Sequence, residues 1–291
     1  MAVVVSTINL KGGVGKTQMT VALAEFLALE HHKKVLVIDL DAQTNATVSL
    51  IAEEAWLEKD QRKETLAQLF LDKLENKSYF DIRRAIVKKV SNVGGGIENL
   101  DLLPSSPRLL EIQDSLAFVP VGRFFVANPV TILRNAVHDI LEEYDFVLID
   151  CPPYLGITTL NGIYISNFYL IPCIPDILST YGIPLILERI KKFIEATRWN
   201  VAPLGIVVSM YRAQSRLHQT MVQDLINRSH LAESDPRWTP RIFNTKIPLA
   251  AKSAEAAEFS VSVNTLKQKY GYGNLYEQYK NLTEEFLRYV E

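Results

Sequence analysis

The chain has 291 residues, is 48% hydrophobic and carries a formal net charge of -2. That is enough to bury one large core or two small ones, and its overall charge predicts no polyanion partner, so any basic patch must be local. Its two cysteines, Cys151 and Cys173, sit in apolar runs without C-x-x-C spacing, which argues against a metal knuckle or a disulfide framework and for reduced, buried thiols.

In chain order, "AVVVS" (2–6) reads as a buried parallel strand. A glycine-rich loop follows, then a helix over 16–32 and a second buried strand over 33–41 that ends in acids. Strand, loop, helix and strand make a βαβ unit, which builds parallel sheets. Residues 52–96 are more polar and read as an excursion of short helices with a solvated charged face, closing in a flexible "NVGGGIEN". "LDLLPSS" (100–106) returns to the sheet, and 130–144 reads as one amphipathic helix. Further strands are expected at 145–153, 167–175, 201–211 and 241–248, with helices at 177–197, 215–230 and 274–290. No Pro/Gly/Ser-rich linker interrupts the alternation, so a single domain over 1–291 is expected. Its fold class is α/β: a parallel twisted sheet with helices on both faces. "MAVVVSTINL" lacks a charged leader, and the longest apolar stretch, 163–175, is short and broken by Pro172, so a cytosolic protein is expected.

The chemistry concentrates in "INLKGGVGKTQ" (8–18). A phosphate-binding loop reads G-x-x-x-x-G-K-[ST]. Gly15, Lys16 and Thr17 supply its end, but Leu10 stands where the first glycine belongs, and an extra lysine, Lys11, precedes the glycines. In such a loop backbone N–H groups converge on phosphates and the following helix adds its positive end. Gly12, Gly13 and Gly15 permit close approach and unusual φ, with Val14 between them. Lys16 should reach the β/γ-phosphates and Thr17 should ligate Mg²⁺ through its hydroxyl. Carboxylates are then needed at the sheet ends, since Mg²⁺ takes oxygen ligands and keeps waters. "VIDLDAQTN" offers Asp39 and Asp41, spaced to share one face of a strand, and "VLIDCPP" offers Asp150. Either Asp39 or Asp41 could instead cap the next helix. Lys11 lies outside the part of the loop that wraps its own phosphates. It is either a solvated surface lysine or a cation offered to the phosphates of a second subunit, where it would relieve charge repulsion across a dimer.

"KGGVGKT" with "DLDAQTN" and "LIDCPPYLGITTLN" resembles the deviant-Walker P-loop ATPases, specifically the ParA partition group of the ParA/MinD superfamily, and the likeness covers nearly the whole chain. The resemblance implies ATP and Mg²⁺ as ligands and a homodimer formed on ATP, with Lys11 reaching across it and Lys16 acting in cis. It implies that Thr17 binds Mg²⁺, Asp150 acts on the metal through water, Asp41 positions the hydrolytic water and Asp39 supports it. Met210 and Pro248 become candidates for contacting adenine. The family usually has Thr where Gln18 stands and Pro where Ala42 stands; Gln18 can still offer its backbone N–H. The usual arginine after "IP" is Leu249 here, and Lys252 takes the place of a second basic residue often linked to DNA.

The family also implies non-specific DNA binding, nucleoid association when ATP is bound, and a ParB-like or adaptor partner protein that stimulates hydrolysis. The interval 187–252 holds eleven Lys and Arg against five Asp and Glu, an excess of six in a chain of net -2. That fits a basic face around Arg189, Arg212, Arg216 and Lys252 acting on DNA phosphates, or solvated helices with ion pairs. The chain opens on its first strand, leaving no room for an N-terminal helix-turn-helix, so sequence-specific binding is not expected. A MinD-like membrane protein would need a basic amphipathic C-terminal helix. Here Leu275, Tyr279, Leu282 and Phe286 form the apolar stripe and the opposite face is acidic, which predicts a docked helix and no membrane. A metabolic P-loop enzyme is the other alternative.

Overall fold

A computed structural model describes residues 2–117, 129–231, 240–260 and 262–290. Seven strands form one sheet: β1 (Val3–Thr7), β2 (Val35–Asp39), β3 (Leu100–Leu103), β4 (Phe146–Asp150), β5 (Phe168–Cys173), β6 (Ala202–Tyr211) and β7 (Ile242–Pro248). Their order is β3-β2-β4-β1-β5-β6-β7, and every pairing is parallel. β4, β2 and β3 lie on one side of β1 and β5, β6 and β7 on the other. The crossover connections therefore leave in opposite directions beside β1, the kind of place where open α/β sheets bind ligands.

Alternation along each strand feeds two cores. Val4, Leu36, Ile38, Val147 and Ile149 face one, and Val5, Val35, Val37, Phe146 and Leu148 face the other. Burial on both faces explains why these strands read as unbroken apolar runs. The helix Lys16–Leu29 is buried all round because the C-terminal helix Asn274–Val290 covers its outer side, with Phe26 packed among Tyr270, Tyr276 and Tyr279. Leu275, Tyr279, Leu282 and Phe286 are all buried there, as the stripe predicts. Among the described residues no helix is long and apolar enough to cross a membrane.

Several elements differ from expectation. The predicted helix over 130–144 is broken into a 3-10 turn, a short α-helix Ile132–Val137 and a second 3-10 segment. The polar excursion is not solvated throughout: helix Leu66–Glu75 buries Leu66, Ala67, Leu69 and Phe70. "NVGGGIEN" is tied into the fold rather than loose, since Gly94 N–H donates to the Val263 carbonyl at 2.7 Å and Asn92 and Val93 are buried. Helix Ile157–Ile165 follows the Pro152–Pro153 pair without a signal in the periodicity. Both cysteines are free and buried, and burial is the first cause pushing both thiols up, Cys173 to about 12.

Candidate active site

The loop after β1 sits at the carboxyl end of the sheet, against the ends of β4, β5 and β6. Gly13 (φ 72°) and Gly15 (φ 84°) occupy the left-handed region that favours glycine, and Gly15 caps the helix that Lys16 opens. Gly12 does not share that conformation; it lines the cavity, and open space surrounds the position a Cβ would take. Val14 points into the core, and its carbonyl accepts from the Ser209 hydroxyl at 2.8 Å, which fastens the loop to β6. Asn9 fastens it to β5: its amide donates to the Pro172 carbonyl at 2.7 Å and its oxygen accepts from Lys11 N–H at 2.9 Å.

A cavity of about 650 Å³ opens over this loop, lined by Gly12, Gly13, Gly15, Lys16, Thr17 and Asp41 among others. Lys16 is buried; burial lowers its pKa, and Asp150 and Asp41 pull the other way. Its ammonium donates to the Lys11 carbonyl at 3.3 Å. The Thr17 hydroxyl donates to Asp150 Oδ2 at 2.6 Å, while buried Asp150 Oδ1 lacks a hydrogen-bond partner. A hydroxyl beside an unsatisfied carboxylate oxygen is a donor set suited to Mg²⁺ and its waters. Among the described residues no cluster of three or more His, Cys, Asp or Glu side chains forms a metal cage.

Asp39 is paired with Asp150 across β2 and β4. Burial pushes Asp39 up to about 7, and burial followed by the neighbouring Asp39 pushes Asp150 well up. Two adjacent buried carboxyls favour protonation unless a cation compensates them. Asp39 and Asp41 do not act as the same-face pair their spacing suggests, because β2 ends at Asp39. Asp39 is fully buried, and its oxygens accept from Asp41 N–H, Thr47 N–H and the Thr47 hydroxyl, so it holds the first turn of helix Asn45–Leu50. Asp41 lines the cavity and accepts from Gln43 N–H at 3.0 Å; its carbonyl is held by the Ser105 hydroxyl.

Gln18 uses its side chain as well as its place in the helix. Its amide donates to the Ser253 carbonyl at 2.9 Å and holds the turn after β7 over the cradle. Met210, at the end of β6, adopts φ 49°, uncommon for a non-glycine residue, and its methyl end lies against Gly15. Pro248 lines a small neighbouring pocket together with Met210, not the main cavity.

Lys11 is partly exposed and is not turned into its own cradle. Its ammonium pairs with Asp176 Oδ2 at 2.7 Å and donates to the Ser179 hydroxyl at 3.1 Å. Of the basic candidates, Arg212, Arg216 and Lys252 gather where β6 and β7 end side by side, with Leu249 N–H donating to the Tyr211 carbonyl. Arg212 and Arg216 are exposed; Lys252 is partly covered and paired with Glu255 at 2.8 Å. Arg189 belongs to another element, helix Ile177–Thr197, about 18 Å from that helix's start at 1.5 Å per residue. Other charges of the segment are engaged: Lys192 with Glu188, Arg241 over the Tyr289 ring and Lys246 over the Tyr211 ring. Glu233, Asp235 and Arg237 lie outside the described residues. The residues that sequence reasoning missed are those that hold others: Asn9, Thr47, Ser105, Asp176, Ser179 and Ser209. Only Asp176 carries a local signal, an acid just before a helix with a serine three residues on.

A family model described as an AAA domain matches residues 2–202. The chain belongs to this family, as a ParA-type ATPase. The ParA-type assignment is matched by relatives such as the chromosome-partitioning ATPase Soj of Treponema pallidum, 27% identical over 93% of this chain and 92% of that protein. Two solved structures share the fold of the ParA-type chain. Cobyrinic acid a,c-diamide synthase from Mycobacterium smegmatis with ADP and magnesium is 22% identical, with TM-score 0.72 over 99% of this chain and 95% of that one. A putative plasmid partition protein from Borrelia burgdorferi bound to AMPPNP is 19% identical, with TM-score 0.69 over 99% of each chain.

Proposed function

We propose that this ParA-type chain, acting as one ATPase domain, is a slow Mg²⁺-dependent ATPase that forms a face-to-face homodimer on ATP, binds DNA without sequence preference as that dimer, and lets go after hydrolysis. A ParB-like or adaptor protein on a cargo accelerates hydrolysis, so subunits released at the cargo rebind elsewhere. The observation that carries this reading is the division of labour between two lysines. Lys16 is buried inside the cradle, whereas Lys11 stands on its outer side, at the rim where a second subunit would approach. Relatives named for chromosome or plasmid partition, and solved structures with bound adenine nucleotide and magnesium, support it.

In this mechanism the loop N–H groups and the end of helix Lys16–Leu29 bind the phosphates. A phosphate oxygen competes with the Lys11 carbonyl for the Lys16 ammonium. When bound, Mg²⁺ supplies charge neutralisation on the transferring phosphoryl group. Thr17 and Asp150 would hold it there. Asp39 keeps the 41–47 segment in place, and Asp41 orients water at the cavity. Since water is the acceptor, no small-molecule co-substrate is required. Arg212 and Arg216, joined by Lys252 on the same edge, contact DNA phosphates, with Arg189 on the neighbouring helix as an outlying contact.

The test is binding to arbitrary-sequence duplex DNA with ATP, ADP or no nucleotide, over a salt series. Binding that requires ATP and falls steeply with salt is expected, because each phosphate neutralised contributes a slope of about -0.9 in log K against log salt. Binding that is absent or indifferent to nucleotide, in a chain that still dimerises on ATP, would refute the DNA reading.

A further inference from the structure

The second lysine is not free to act in trans as it stands. Its ammonium is 2.7 Å from Asp176 Oδ2 and 3.1 Å from the Ser179 hydroxyl, and both partners belong to its own subunit. Asp176 is otherwise the cap of helix Ile177–Thr197, where its Oδ1 accepts from Ser179 N–H at 2.7 Å. The two side chains are about one third exposed, so the pair is partly shielded from solvent. Burial pushes the Asp176 carboxyl up, but the hydrogen bonds from Lys11 and Ser179 together outweigh this and hold it below its usual value.

The Lys11 backbone is tied in place by its N–H, which donates to Asn9, and without nucleotide also by its carbonyl, which accepts from Lys16. The four-carbon side chain supplies the reach. A lysine left on its carboxylate would bring a negative group to the partner's phosphates together with the positive one, and at such separations the repulsion cancels most of the attraction. The ammonium must therefore leave Asp176 to serve a second subunit. Pro184 removes the N–H that would reach back to the Thr180 carbonyl, so the first turns of this helix are less firmly tied to the rest. Those turns also present Leu178 and Tyr181 to solvent.

We propose that Asp176 is a positioning residue that holds Lys11 in cis, and that ATP-driven dimerisation has to break this ion pair before Lys11 can reach across. The inference rests on the ATP-dimer reading given above and names the residue that sets how much nucleotide the dimer needs.

The test measures dimerisation by sedimentation as Mg-AMPPNP is titrated, comparing the unaltered chain with Asp176→Asn and Asp176→Glu. Asparagine keeps the helix cap and removes the charge. Asp176→Asn is expected to dimerise at roughly fivefold lower nucleotide, the size of effect a partly shielded ion pair gives, while Asp176→Glu stays within about twofold of the unaltered chain. A purely structural role of Asp176 would move Asp176→Asn the other way, to a higher nucleotide requirement. An unaltered chain that dimerises, with Asp176→Asn needing equal or more nucleotide, overturns the latch alone. An unaltered chain that stays monomeric at saturating Mg-AMPPNP overturns the dimer reading and the latch with it.

Discussion

Replacing Lys269 by methionine tests a buried charge pair that braces the helix carrying Lys16 and Thr17. Lys269 and Glu25 side chains are 1% and 0% exposed, and their charged atoms are 2.6 Å apart. Glu25 also accepts from the Ser91 hydroxyl at 2.5 Å and the Tyr270 hydroxyl at 2.7 Å. One carboxylate thus joins the phosphate-loop helix, the 91–93 segment and helix Leu266–Tyr270, and Tyr270 lines the main cavity. Lys269→Met keeps the apolar stem but strands a carboxylate in a dry site with two neutral donors. Removing one partner of such a pair costs about 3–5 kcal/mol. Glu25→Gln added to Lys269→Met removes the stranded charge and should recover about half or more of that loss. Urea unfolding of the full chain, run as a double-mutant cycle, reads both numbers. A single-variant loss under about 1 kcal/mol, or a double variant no better than the single, would show that the pair is not a coupled, desolvated unit.

Asp41→Ala should retain nucleotide binding while hydrolysis falls by roughly a hundredfold or more, the scale of a lost water-orienting group, and single-turnover phosphate release compared with nucleotide binding checks this. The Asp39–Asp150 pair predicts a pH dependence. Folding raises Asp39 from 3.8 to about 7 and raises Asp150 as well, so their contribution is complete below pH near 4 and is lost as pH rises through about 7. The chain without nucleotide should therefore be less resistant to urea at pH 8 than at pH 6 by about 1–3 kcal/mol, and Mg-ATP should narrow the gap by favouring the ionised pair. Glu285→Ala should loosen β7 from the C-terminal helix, because Glu285 accepts from Asn244 N–H, Thr245 N–H, the Thr245 hydroxyl and the Tyr289 hydroxyl. A cost of about 2–3 kcal/mol is expected for those stranded donors, and hydrogen exchange at Thr245 should rise with it.

Local chemistry made much of this protein legible from the chain. The seven strands follow from apolar runs that only a sheet covered on both faces accommodates. The phosphate loop follows from glycines placed where left-handed backbone is needed, and the docked C-terminal helix follows from a stripe at helical spacing. These signals lie within a few residues of one another and need no knowledge of neighbours. The break in the 130–144 helix, the burial of Leu66–Glu75 and the anchoring of "NVGGGIEN" depend instead on what packs against them. The same holds at the site. Sequence alone names Lys11, Lys16, Asp39, Asp41 and Asp150 as the groups with the right chemistry. Which oxygen of Asp150 is left over and whose carboxylate receives Lys11 are decided by residues distant in the chain. The partner of Lys11 lies 165 positions away and meets it only because β5 pairs with β1. A side chain's charge is a property of its residue type, but its partner and its desolvation are set by the strands that close around it.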